Sequence, residues 1–141
     1  MADLTTHWLG LELSHPLIPG ASPLGDDLDR VRRLQDAGAP LITLRSLIAT
    51  PFGIEDECCW LDQGSADFSV RSVLAGLQRT PATALDADAY YRHIQSIRTT
   101  AGTDLPVIAS LYARRSKDWL ALAEQIAQAG ASGLELNVYD L

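Results

Sequence analysis

Positive charge is scarce in this sequence. Eleven Lys and Arg face eighteen Asp and Glu, and the formal net charge is −7. A phosphate backbone or an anionic lipid surface is captured chiefly by Lys and Arg, so this balance argues against nucleic acid or membrane as a partner. Cysteine is almost missing too. Cys58 and Cys59 are adjacent, a spacing that suits neither an unstrained mutual bridge nor a metal site, so both read as reduced thiols of a cytoplasmic protein. No apolar run approaches the ~20 residues that a helix needs to span a bilayer. The start, MADLTTHWLG, has neither the basic nor the apolar region of a secretory signal. His7, His15 and His93 are scattered without ligand spacing, which predicts no metal. The acidic run Glu55–Glu57 lacks the regular spacing of a calcium loop and reads as a solvated face. No GxGxxG, P-loop or GxSxG motif occurs.

What is present is ordinary for a globular protein: 141 residues, 47% hydrophobic and 21% charged, enough for one domain with a core. Thr5–Ser14 partly alternates around Gly10 and predicts a short hairpin. Pro16–Ala21 is a first candidate buried strand. Asp26 or Asp27 can cap a helix bearing Leu28, Val31 and Leu34 on one face, with Gly38 as its stop. Leu41–Leu44 is a second strand, apolar without alternation, as in a strand covered on both faces. Residues 48–85 form a long excursion in which Val70–Leu77 has helical character; long excursions are often functional. Asp86–Gly102 predicts a helix, Pro106–Leu111 a third strand, Ser116–Gly130 an amphipathic helix capped by Ser116, and Gly133–Val138 a fourth strand.

Two segments echo each other. LQDAGAPLITL (Leu34–Leu44) and IAQAGASGLEL (Ile126–Leu136) share one grammar: helix end, Ala-Gly-Ala, strand. The order is then a hairpin followed by β-α-β-(excursion)-α-β-α-β, which predicts an α/β fold with parallel strands joined by right-handed crossovers. An open doubly wound sheet and a (β/α)8 barrel both fit this order. Four strands amount to half a barrel. The sequence stops at NVYDL, where a helix should begin, which points to truncation.

In parallel α/β folds ligands lie at the C-terminal ends of the strands. That rule selects Gly20–Pro23, Leu44–Ser46, Ser110–Tyr112 and Asn137–Tyr139. Small residues at Gly20, Ala21 and Ser22 would let a flat ligand approach the main chain. Arg45 offers a permanent positive charge, and Asn137 an amide with both donor and acceptor. Arg114, Arg115 and Lys117 follow the third strand and could steer an anionic substrate.

The segments LGLELSHPLIPGASPL, LQDAGAPLITLRSL, LPVIASL and QAGASGLELNVY, in that order, resemble the N-terminal half of the dihydroorotate dehydrogenase-like proteins, and look closest to their bacterial branch. The resemblance covers Asp3 to about Leu47 and Asp86 to Leu141. It implies an FMN-binding TIM barrel of the (β/α)8 type, here as about four βα units after a short hairpin. The implied activity is oxidoreductase chemistry: hydride transfer between a small planar substrate and the flavin, of the kind used in pyrimidine biosynthesis. The resemblance places Ala21, Ser22, Arg45, Ser46 and Asn137 at the cofactor. It gives the position of the family's Cys or Ser base to Asp140, the candidate catalytic residue. Pro23 stands where the family has Gly, and Leu44–Arg45 where it has Lys. The missing half would come from a C-terminal half-barrel or from a second copy in a homodimer. Two other readings of the residues stay open: a non-catalytic, self-associating half-barrel, and a phosphate- or nucleotide-binding α/β module.

Overall fold

The computed structural model describes residues 2–48, 86–100, 105–113 and 115–138. The long excursion read between residues 48 and 85 lies, after Ile48 itself, outside them, with Cys58, Cys59, the acidic run and Val70–Leu77. All the described residues before Ala49 and after Leu85 belong to one compact unit.

The hairpin forms as the alternation predicts. Strands β1 (Thr6–Trp8) and β2 (Leu11–Leu13) pair antiparallel, with Trp8 opposite Leu11. The two-residue loop Leu9-Gly10 has φ of 51° and 76°, the left-handed pair that matches the twist of a tight hairpin. Leu9 is strained there, and its side chain reaches over Gly133, where a Cβ would lie 3.2 Å from Leu9 Cδ1.

Pro16–Ala21, expected as the first parallel strand, is not one. Leu17 is 75% exposed, and no strand is assigned there. Pro16 and Pro19 lack the N–H that a ladder needs, which disqualifies such a segment from all but an edge position. The segment leads instead into a 3-10 turn, Pro23–Gly25, whose N-cap Ser22 accepts from Leu24 N–H at 3.4 Å.

Helix α1 (Leu28–Asp36) starts at Asp27, whose carboxylate accepts from Arg30 N–H at 2.9 Å. It ends as the echo predicts. Gly38 has φ of +92°, and Ala39 N–H donates to Leu34 C=O. Helix α3 (Ser116–Gln128) ends in the same way at Gly130, φ +97°, with Ala131 N–H on Ile126 C=O. Both are Schellman-type stops that glycine adopts without steric cost. Ser116 does not cap α3. The cap position falls on Arg115, which makes no capping bond with its side chain and pairs instead with Asp118 at 2.6 Å.

Three parallel strands follow: β3 (Ile42–Ile48), β4 (Val107–Tyr112) and β5 (Gly133–Leu136), in sheet order β3-β4-β5. Helix α2 (Ala87–Thr100) precedes β4, and α3 joins β4 to β5. The fold is thus mixed α/β, with three helices, one parallel sheet and one hairpin among the described residues. All three helices pack on one face of the sheet. Val31 of α1, Tyr90, Ile94 and Ile97 of α2, and Ile126 of α3 close on Ile42, Leu44, Leu47, Val107, Ala109 and Leu111 in a single cluster. The opposite face carries Ile108, covered by Leu13 and Leu41. Beyond Ile108, toward the C-terminal strand ends, this second face turns polar.

Candidate functional site at the C-terminal strand ends

The second strand was expected to end at Leu44, with Arg45 and Ser46 after it. β3 instead runs on to Ile48, because a bulge absorbs one extra residue. Thr43 pairs with Ile108 and Ser46 with Ser110, three residues on β3 against two on β4. A one-residue slip exchanges the faces of every side chain beyond it. Ile42 and Leu44 point into the helix-side core before the bulge and Leu47 after it, so Ser46 turns to the polar face.

There Ser46 meets a row of side chains from all three strands. Ser46, Ser110 and Glu135 are register partners across the sheet. Ser46 Oγ lies 2.8 Å from Ser110 Oγ. The Ser110 hydroxyl donates to Glu135 Oε1 at 2.8 Å. Asn137, just past β5, donates from Nδ2 to Ser46 Oγ at 2.8 Å and to Ser110 Oγ at 2.7 Å. Its main-chain N–H is fixed on Leu111 C=O at 2.9 Å. Ser110 is wholly buried, Asn137 half-buried and Glu135 exposed, so the row runs from the core to the open face.

Tyr90 supports the row from behind. Its phenol accepts from Ser110 N–H at 3.0 Å and donates to Ser110 C=O at 3.3 Å. A bulge disrupts the ladder locally, and the phenol serves both main-chain groups of the residue beside it. Burial pushes the Tyr90 hydroxyl well above its ordinary value; the bond from Ser110 opposes this and the Glu135 charge adds to it.

Of the residues expected at a ligand edge, Ser46 and Asn137 come together. Arg45 does not join them. Its guanidinium makes a two-pronged pair with Asp26, Nε to Oδ1 and Nη2 to Oδ2, each 2.9 Å. That pair and the bond from His93 Nε2 to Gly25 C=O at 2.6 Å tie the 3-10 turn down. Gly25 itself packs closely on β3, where an added Cβ would lie 3.1 Å from Leu44 Cδ2. Ala21 is exposed and Ser22 is occupied as a cap; neither belongs to the hydrogen-bonded row. Tyr112 packs edge-on against Trp119, centroids 6.4 Å apart. Asp140, Tyr139 and Arg114 lie outside the described residues. A groove of about 380 Å³ between α2 and α3, lined by Tyr91, Arg92 and Gln125, opens on the helix side instead.

Sequence reading missed Glu135 and Tyr90. Glu135 was within reach, since it stands two residues before Asn137, the spacing of one face of a strand. Tyr90 falls on one apolar stripe of its helix with Ile94 and Ile97, a pattern that hides a phenol's hydrogen bonds. The chain matches no model of a known protein family, and no curated protein matches it.

Proposed function

We propose that this chain forms the flavin-edge half of an FMN-dependent oxidoreductase of the dihydroorotate dehydrogenase-like kind, passing a hydride between a small planar substrate and the flavin. The observation that carries this reading is the row Ser46–Ser110–Asn137 at the C-terminal ends of adjacent parallel strands, where α/β folds bind their ligands. Among the described residues, helices on one face and strands in sequential order favour a barrel segment over a doubly wound sheet, which carries helices on both faces.

The residues fit the rim of a flavin ring. Asn137 Oδ1 accepts no bond from any described residue, and this reading assigns it to a ligand donor. At Gly20 an added Cβ would meet nothing within 4 Å, leaving the main chain open to a flat partner, with Ala21 and Ser22 beside it. Arg45 pairs with Asp26 and so ties down the 3-10 turn beside this edge. The flavin, when bound, supplies the hydride chemistry; the protein orients it and shields it from water. Asp140, in the position of the family's base, is the candidate to hold the substrate proton.

Titration of FMN with the protein, followed by flavin fluorescence and absorbance, tests the reading. Saturable binding is expected, weakened about tenfold by Asn137→Ala, the scale of one hydrogen bond. Absence of saturable binding overturns it. Saturable binding of a mononucleotide lacking the ring system, at equal affinity, would favour a phosphate-binding module instead.

A second reading, a non-catalytic half-barrel that pairs with another copy, draws on one observation. Leu136 and Val138, on and just past β5, are exposed by 54% and 76%, and β5 pairs on one side only among the described residues, an edge of the kind that invites association. Sedimentation velocity over a range of concentrations distinguishes a colourless dimer from a flavin-binding monomer.

A further inference from the structure

The row of hydrogen bonds has a direction, and its protons can be counted. Five contacts need a proton: Ser46–Ser110, Ser110–Glu135, Asn137–Ser46 and Asn137–Ser110, all between 2.7 and 2.8 Å, and the longer contact of Asn137 Nδ2 with Leu111 C=O at 3.4 Å. Each serine brings one O–H, the amide brings two N–H, and a glutamate carboxylate brings none. The Ser110 proton goes to Glu135. The Ser46 proton then goes to Ser110, and the two amide protons go one to each serine, one of them shared with the more distant Leu111 C=O. Ser110 Oγ thereby accepts twice and donates once, its full capacity, and no water is needed at this wholly buried residue.

Turning the amide round removes two of the four protons. Oxygen would then face oxygen at hydrogen-bond distance with nothing between, at a site where an unmade bond costs its full desolvation. The carboxylate at one end of the row, by holding the Ser110 proton, therefore acts together with the Leu111 carbonyl to keep the amide at the other end NH2-inward.

We infer that Glu135, acting through Ser110 and Ser46, fixes Asn137 with its NH2 inward and its carbonyl oxygen toward the ligand, so that this edge selects a planar ligand presenting an N–H donor. Glu135 is a positioning residue in this assignment. The inference rests on the reading of this edge as a ligand site, and it names the ligand chemistry there: an imide or lactam N–H is accepted, and an N-alkylated ring or a bare ring acceptor is refused.

The test uses two variants and two readouts. In Glu135→Ala the Ser110 proton loses its acceptor and turns toward Ser46 or the amide oxygen. In Glu135→Gln the side-chain carbonyl can still accept it. Nitrogen-15 NMR of the Asn137 side-chain amide, assigned by its loss in Asn137→Ala, reads the orientation without any ligand. Solvent exchange of that NH2 is expected to speed up by about tenfold or more in E135A and to stay near wild type in E135Q, with the main-chain spectrum otherwise intact. Equal exchange in wild type and E135A overturns the assignment. FMN and its 3-methyl derivative, which lacks the imide N–H, then read selectivity. Wild type and E135Q are expected to prefer FMN by about tenfold, the scale of one hydrogen bond, and E135A to lose the preference. Equal affinity of wild type for the two flavins overturns the ligand assignment. If the exchange rates behave as expected while neither flavin binds, the flavin reading falls and the positioning by Glu135 stands.

Discussion

Tyr90 is 3% exposed, yet its phenol is the sole hydrogen-bonding group by which α2 reaches Ser110 among the described residues. Tyr90→Phe leaves the Ser110 N–H and C=O without that partner at little change in volume. A loss of about 1–3 kcal/mol is expected, the cost of an unsatisfied buried polar group, to be measured by urea denaturation. Burial also holds the folded-state ionisation of Tyr90 above its ordinary 10.0. The unfolded chain therefore releases this proton first. Stability from this group is fully present below about pH 10 and falls as pH rises beyond it, by up to about 1.4 kcal/mol per pH unit. Thermal melts between pH 8 and 11 should show that fall in wild type and a shallower one in Tyr90→Phe. Tyr91, whose hydroxyl burial and the Asp88 charge also push up, contributes in the same direction.

The two Ala-Gly-Ala helix stops have the same backbone and different surroundings. At Gly38 a Cβ would meet nothing within 4 Å, whereas at Gly130 it would lie 2.8 Å from Arg98 Cδ. Arg98 in turn donates from Nη1 to Gly130 C=O at 3.0 Å. Gly38→Ala should cost only the left-handed backbone, about 1–2 kcal/mol. Gly130→Ala should cost more, since Arg98 must also move and its bond is put at risk. Chemical denaturation of the two variants side by side measures the difference, and equal losses would show that Arg98 yields freely. At β3 the element-level event is the bulge. It carries Leu47 into the core and Ser46 out of it, so the segment from Arg45 to Ile48 cannot be read with the same period as Leu41–Leu44.

At the scale of the fold, the larger of the two buried clusters among the described residues lies on the helix side of the sheet. Ile94 and Ile97 are fully buried there, while Leu120 on α3 is 70% exposed. Ile94→Ala is expected to cost about 2–5 kcal/mol through lost transfer energy and the cavity left behind. Leu120→Ala should stay within about 0.5 kcal/mol. Denaturation midpoints of the pair check this division. Among the described residues the opposite face is apolar around Ile108 and carries the polar row Ser46–Ser110–Glu135 nearer the strand ends. That division between a stabilising face and a chemically usable one is what places Ser46, Ser110, Glu135 and Asn137 together.

The order of elements was legible in the residues themselves. Gly38 and Gly130 after apolar helix stripes, Asp27 before one, and the branched runs Leu41–Leu44 and Pro106–Leu111 are local signals set by backbone sterics and side-chain period, so the chain alone determined the α/β alternation. Other features depend on what a segment meets in space. Pro16–Ala21 has the hydrophobicity of a strand, but with two prolines and no paired neighbour it does not become one. Ser46 has an inward or outward face only once the bulge is paired against β4. Arg45 looks like a free charge until Asp26, 19 residues away in sequence, closes on it. The polarity of Asn137 is set by a carboxylate, two serines and the Leu111 carbonyl, drawn from three strands, because a hydrogen-bond direction belongs to the network and not to any one residue.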